Sequence, residues 1–375
     1  MKKKIRTKRL LLVIGIILLI AGFFIVKGTS LYKNCMINRQ LSKLNYSDKA
    51  IVVIKEKDMT DYILDNKLYS EVIDEAFANN DFNINCISVY KEVQYDDKAV
   101  SNINTLYRTG YRDSEILNIF KYLSKDEITI LTNKDYIEDI ARYIINDNFN
   151  INNLERYLSY KETSKLSYDE VIAIVNVGSD IPYYKEIKEI KDSSSILALV
   201  NKYNKLPSTY KPSNLQTISK NCSDSTFYLR KEANEAFTNL CSDSKSIGLS
   251  ILVTSSYRDY NYQLNLYNYY LGIYGLADTD IRSARPGHSE HQTGLAVDIK
   301  TPTAKWDDFV DTNEYTWIKN NAHLYGFIIR YPKGKEVITG YKFEPWHLRY
   351  VGIETATKIY NENITFDEYY VKYIK

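Results

Sequence analysis

Residues 285–300, RPGHSEHQTGLAVDIK, constrain this chain more than any other stretch. They place two metal-binding side chains, His291 and Asp298, seven positions apart across a glycine. Leu295, Val297 and Ile299 alternate with Ala296 and Asp298, the period-two pattern of a strand, which turns Asp298 away from the apolar face. Gly294 marks the turn that brings the loop carrying His291 alongside that strand. A second short segment, FEPWH at 343–347, offers Glu344 and His347. Pro345 between them disfavours a helix interior and predicts an extended segment or a turn.

A catalytic zinc is commonly held by three nitrogen or carboxylate ligands, which leaves a coordination position for water. His291, Asp298 and His347 supply that count, for one Zn2+ per chain. Neither segment contains cysteine, and this favours an open hydrolytic site over a closed structural one. Glu344 is then available beside the metal without ligating it. Its expected work is general base toward water, then proton donor to a leaving amine.

SEHQTGLAVD and EPWH resemble, complete and in order, the SxHxxGxAxD and ExxH signatures of the VanY-type D-alanyl-D-alanine carboxypeptidases. These are zinc peptidases of the wider lysostaphin, D-Ala-D-Ala and hedgehog group. The resemblance covers roughly residues 196–364. It implies zinc on His291, Asp298 and His347 with Glu344 as catalytic base. It also implies that Arg258, in SSYR, holds the scissile carbonyl oxygen as charge develops, and that Ser289 lies in the substrate-binding wall. A planar guanidinium suits the first task because it gives two directed hydrogen bonds to oxygen. The implied substrate is the peptidoglycan stem peptide, from which a D,D-carboxypeptidase removes the terminal D-alanine. An L,D-carboxypeptidase acting on tetrapeptide stems, an endopeptidase, and a non-catalytic cell-wall peptide-binding domain are the alternatives. His288 is expected to support the site from outside the ligand set, His323 to pack, and Arg349 to form a structural ion pair.

The rest of the chain supplies the setting. Its 375 residues, 44% hydrophobic and 26% charged, are enough for two folded regions and an anchor. Residues 1–9 form a basic tail with six cations and no acidic residue; removing those six from the net charge of +2 leaves −4 for the remainder. A mildly acidic remainder gives no support to nucleic-acid binding. Residues 10–26 are an apolar run broken only by Gly15 and Gly22. The run is longer than the roughly 7–15 residues of a signal-peptide core and no small-x-small cleavage site follows, so it is expected to be an uncleaved transmembrane helix. The cations before it place the tail in the cytoplasm and the rest of the protein outside the cell membrane.

Residues 41–192 read as helical, with a loose recurrence in KLNYSDKAIVVI, RTGYRDSEILNIF and SKLSYDEVIAIV. Each has an aromatic, then a polar residue suited to capping, then apolar spacing. Residues 193–219, rich in Ser with two prolines, read as a linker packed on the next domain. The catalytic domain, 220–364, reads as α+β, an antiparallel sheet with flanking helices carrying the zinc site. Helices are expected over 226–240, 259–274 and 313–325, strands over 250–255 and 327–331, and a hairpin around PKGK. Residues 365–375 are left as a C-terminal tail. Cys222 and Cys241 bracket the first of those helices, whose length keeps them apart unless the preceding segment folds back, so their pairing stays open.

Overall fold

The structure, a computed structural model, describes residues 2–302, 304–305 and 308–374. Met1 of the basic tail and Lys375 of the C-terminal tail therefore lie outside the described residues. The chain divides into two compact units, Met1–Ile151 and Asn152–Lys375. The division falls inside the 41–192 region that the sequence presents as continuous.

The first unit opens with α1 (Lys2–Lys43), one uninterrupted helix. Its segment Ile14–Lys43 is long and apolar enough to cross a membrane, and its end packs into the unit through Leu41, which is fully buried. Then follow α2 (Asp48–Glu56), α3 (Thr60–Asp65), α4 (Glu71–Ala78), α5 (Ile87–Glu92), α6 (Ala99–Thr109), α7 (Asp113–Tyr122), α8 (Lys125–Leu131) and α9 (Ile140–Ile144). Short helices need their ends satisfied, and polar residues do this here. Ser47 Oγ accepts from the Ala50 amide, Ser70 Oγ from the Ile73 amide, and Glu115 Oε2 accepts from the Arg112 amide at 2.8 Å. Apolar faces meet in a core that includes Ile54, Val72, Phe77, Tyr90, Ile103 and Leu106, all fully buried. The three recurrent segments do begin helices: α2, α7 and, in the second unit, α11.

In the second unit α10 (Leu154–Thr163) and α11 (Tyr168–Val177) precede the small parallel pair β1 (Lys188–Glu189) and β2 (Asn204–Lys205), then the antiparallel pair β3 (Leu215–Thr217) and β4 (Tyr228–Arg230). The stretch 193–219 is thus built into the unit, and Leu199, Val200, Asn201 and Lys202 are buried in it. Next come α12 (Lys231–Ser246), β5 (Leu252–Ser255) and α13 (Tyr260–Arg282), which is broken at Gly275 where φ is 75°. The helix expected over 226–240 begins later because 228–230 are drawn into pairing with β3. The remaining elements are β6 (Ala296–Lys300), α14 (Asn313–Asn321), β7 (Phe327–Tyr331), α15 (Glu336–Thr339), β8 (Glu344–Tyr350), α16 (Ile353–Glu362) and α17 (Phe366–Tyr373). The PKGK segment leads into α15 rather than forming a plain hairpin, and residues 366–373 of the expected tail are a helix.

The mixture of helix and sheet centres on four antiparallel strands in the order β5-β6-β8-β7. Both faces of the sheet are covered. On one, Phe237, Leu240 and Cys241 of α12 pack with Val253, Leu295, Val297, Ile299, Phe327 and Leu348. On the other, Ile328 and Val351 meet Ala356, Ile359 and Phe366 of α16 and α17. The alternation of Phe327 and Ile328 between the two clusters is the strand period at work. Cys222 reaches the first cluster from the β3–β4 loop, beside Cys241; both are free thiols.

Gly326 joins the helical layer to β7 at φ 81°, and a Cβ there would stand 2.7 Å from Tyr350 Cε2 and 3.0 Å from the Gly352 carbonyl carbon. Left-handed strain and the backbone clash add, so Gly326→Ala is expected to destabilise the second unit by about 2–4 kcal/mol. The three tryptophans all fall in this unit, so a denaturant midpoint read by their fluorescence checks it. An unchanged midpoint contradicts the close approach.

Candidate metal centre

Opposite residues on paired antiparallel strands share a face, and in the β6–β8 pair Asp298 stands opposite His347. His347 Nδ1 lies 3.0 Å from Asp298 Oδ1. His291 arrives from a single tight turn, Glu290–Thr293, closed by Gly294 at φ 70°. That turn is hemmed in, since a Cβ on Gly294 would sit 3.0 Å from Leu215 Cδ2 and 3.1 Å from Arg230 Cγ. His291 Nε2 consequently lies 3.3 Å from Asp298 Oδ2. One donor atom from each of His291, Asp298 and His347 falls within 4.8 Å of the others, a grouping that could hold a metal ion.

The hydrogen bonds around these rings decide which nitrogen is offered. His291 Nδ1 meets the Ser256 carbonyl oxygen at 2.7 Å. A carbonyl only accepts, so Nδ1 carries the proton and Nε2 keeps its lone pair. Nε2 is buried and makes no hydrogen bond. Such an orphaned acceptor is costly unless something else occupies it, and its open lone pair fits a cation. His347 has a carboxylate oxygen at each nitrogen, Asp298 at Nδ1 and Glu290 Oε2 at Nε2, 3.3 Å away. Burial pulls its pKa down, but the two carboxylates outweigh burial and push it up to about 9. Burial, with Arg258 beside it, holds His291 at about 4. Asp298, though buried, is kept well below the usual carboxylate range by both imidazoles. The place between Asp298 and His347 thus attracts positive charge, and two imidazoles with one carboxylate form a donor set that suits zinc.

Glu344 reaches the same side through an irregularity in β8. Ile329 pairs with Leu348 and Tyr331 with Glu344, so two residues of β7 span four of β8. In a regular strand, positions three apart face opposite ways; the irregular pairing over 345–347, a stretch that includes Pro345 with no ladder amide, removes that conflict. Glu344 Oε2 lies 3.9 Å from His347 Nδ1. Burial raises its pKa to about 7, and Asp298 adds to the rise. Arg258 follows β5, its amide donating to the His291 carbonyl at 3.3 Å, and its Nη2 stands 3.6 Å from Asp298 Oδ2. Its Nε is buried without a hydrogen bond, a donor held in reserve. Ser289, also buried, immediately precedes the turn.

The other singled-out residues behave differently. His288 is buried edge-on to Tyr184 with Nδ1 at 2.7 Å from the Asn201 carbonyl oxygen. His323 stacks on Tyr360 at 3.9 Å between ring centroids. Arg349 pairs with Glu290 at 3.0 Å. Sequence reasoning passed over Glu290, Arg330 and Lys202. Lys202 is buried beneath the Tyr341 ring, 3.4 Å from its centroid, and burial lowers its pKa to about 7. For Glu290 the available signal was a charged residue inside an otherwise recognised motif, which apolar periodicity does not detect.

A family model described as VanY, D-alanyl-D-alanine carboxypeptidase, matches residues 226–353. The YodJ protein of Bacillus subtilis (strain 168), described by its name as a carboxypeptidase, is 38% identical over 207 residues, covering 52% of this chain and 74% of that protein. The bifunctional D-Ala-D-Ala dipeptidase and D-Ala-D-Ala carboxypeptidase VanXYC of Enterococcus gallinarum is 35% identical over 181 residues, 46% of this chain and 93% of that protein. Among solved structures, that of the LdcB LD-carboxypeptidase aligns at 39% identity and a TM-score of 0.47, covering 50% of this chain and 90% of that one.

His288 gives the second unit a pH dependence of its own. Burial, aided by Lys202, Lys205 and Arg285, lowers its pKa from 6.5 to about 4. The fold therefore prefers the neutral ring; the stabilisation is full above pH 6.5 and is lost as the pH falls toward 4, by about 3 kcal/mol at most. His288→Asn keeps a donor for the Asn201 carbonyl and cannot titrate. Denaturant midpoints at pH 7 and pH 4.5 should fall further in the parent than in this variant; equal falls contradict the assignment.

Proposed function

Because this chain belongs to the VanY D-alanyl-D-alanine carboxypeptidase family, we propose that it is a zinc-dependent D,D-carboxypeptidase removing the terminal D-alanine from peptidoglycan stem peptides. The observation that carries this reading is the convergence of His291, Asp298 and His347 within 4.8 Å, with the Glu344 carboxylate 3.9 Å from His347. His291 Nε2, a carboxylate oxygen of Asp298 and His347 Nδ1 would hold the ion. Zinc there would supply a Lewis acid for the scissile carbonyl and for the attacking water.

The chain's own groups do the rest. Glu344, with a pKa raised to about 7, takes a proton from the attacking water and returns it to the departing amine of D-alanine as the C–N bond breaks. Arg258 donates to the carbonyl oxygen as negative charge gathers on it, from a side chain already held by its proximity to Asp298. Ser289 lies in the wall that binds the peptide. The apolar helix α1 anchors the protein in the cytoplasmic membrane, with the six cations of the first nine residues inside and the second unit outside, beside the wall.

Replacing Glu344 with Gln is expected to lower D-alanine release by about two to four orders of magnitude, while the zinc content of the purified protein stays at the parent level. Defined pentapeptide and tetrapeptide stems, with the released residue identified by mass spectrometry, check the substrate. Release from the tetrapeptide alone would make the enzyme an L,D-carboxypeptidase. Release by the Gln variant at the parent rate would remove Glu344 from its role.

A further inference from the structure

Glu290 lies inside the HSEHQTG loop, 1% exposed, and all its side-chain partners are ionisable. Its Oε1 accepts from Arg330 Nε at 2.7 Å and from Arg349 Nη1 at 3.0 Å. Its Oε2 stands 3.3 Å from His347 Nε2. Arg330 continues outward, donating from Nη1 to Asp367 Oδ2 at 2.6 Å, and Asp367 Oδ1 accepts from Asn201 Nδ2 at 2.9 Å. Arg349 is tied down separately, its Nη2 donating to the carbonyl oxygens of Ile196 and Ala198. Asp367, Arg330 and Glu290 thus connect Asn201 and the first turn of α17 to a ring at the candidate metal centre.

Two guanidiniums and two carboxylates are buried together in this cluster, where apolar residues of like volume would serve stability as well or better. What apolar residues would not do is fix an imidazole. His347 offers the centre a ligand only when Nδ1 has its lone pair turned to Asp298, which requires the proton on Nε2 and the ring held in one orientation. A carboxylate at Nε2 meets both requirements and makes the ring a stronger donor. Glu290 itself has no freedom to leave, since both arginines grip its other oxygen.

We propose that Glu290 is a positioning residue for His347, and that Arg330, held by Asp367 of α17, keeps Glu290 in place, so that the metal affinity of the centre depends on a helix that supplies no ligand. The inference rests on the reading that His291, Asp298 and His347 hold the ion.

The test is the zinc affinity of the full-length protein in detergent, by competition with a chromophoric chelator, each variant first shown by tryptophan fluorescence to unfold cooperatively. Glu290→Gln combined with Arg349→Met keeps the buried charge balanced and is expected to bind zinc about 10–100-fold more weakly. Asp367→Asn should weaken binding several-fold. In a His347→Ala background the Glu290→Gln/Arg349→Met pair should cost less than twofold further, since its effect passes through that ring. A folded Glu290→Gln/Arg349→Met protein with parental affinity overturns the proposal, as does an equal loss with and without His347. If that pair prevents folding, Asp367→Asn decides, and parental affinity in it overturns the proposal. Should His347→Ala alone bind zinc like the parent, the ligand reading has failed instead.

Discussion

The register of β6 against β8 is the constraint on which this site depends. It sets Asp298 opposite His347 although 49 positions separate them. A slip of one residue would carry one of the two to the far face of the sheet. Leu295, Val297 and Ile299, buried with Leu348 against α12, prevent that slip because their alternation fits only one side. Core packing and the candidate centre are therefore two faces of one arrangement, and the energy that holds Asp298 and His347 together comes from apolar residues on the other face.

A regular sheet would still have been unsuitable. Glu344 and His347 belong to one strand at a spacing that points them apart, and the bulge that reconciles them occurs where Pro345 cannot supply an amide to the ladder. The raised pKa of Glu344 has the same origin, because the side it is turned to is closed off from water and shared with Asp298. A proline, an irregular pairing and a carboxyl group tuned near neutrality are linked consequences of one local geometry.

Much of this was legible in the sequence, for reasons that are local. The β6 strand could be read from period two, its approach from Gly294, the extended state of 344–347 from Pro345, and β7 from its apolar run. The candidate donors His291, Asp298 and His347, which the structure brings together, could be named because few residue types bind metals and both signatures were complete. What stayed hidden was set by distant partners. Residues 228–230 have helical spacing but are taken into a strand by 215–217, which shifts α12 toward its C-terminal end. Glu290 pairs with Arg330 and Arg349, 40 and 59 positions away, and nothing near it announces them. The division at Ile151 leaves no mark in composition, since α10 and α11 begin and end much as the earlier helices do.

Asp367 bonds to Asn201 across 166 positions and to Arg330 across 37, and this has a bearing on biosynthesis. A ribosome builds the chain in numerical order, so all three imidazole and carboxylate donors are made before the last clasp of the charged cluster exists. A chain made as far as His347 thus carries the donors without Asp367, and the charged cluster is complete only after residue 367 has emerged.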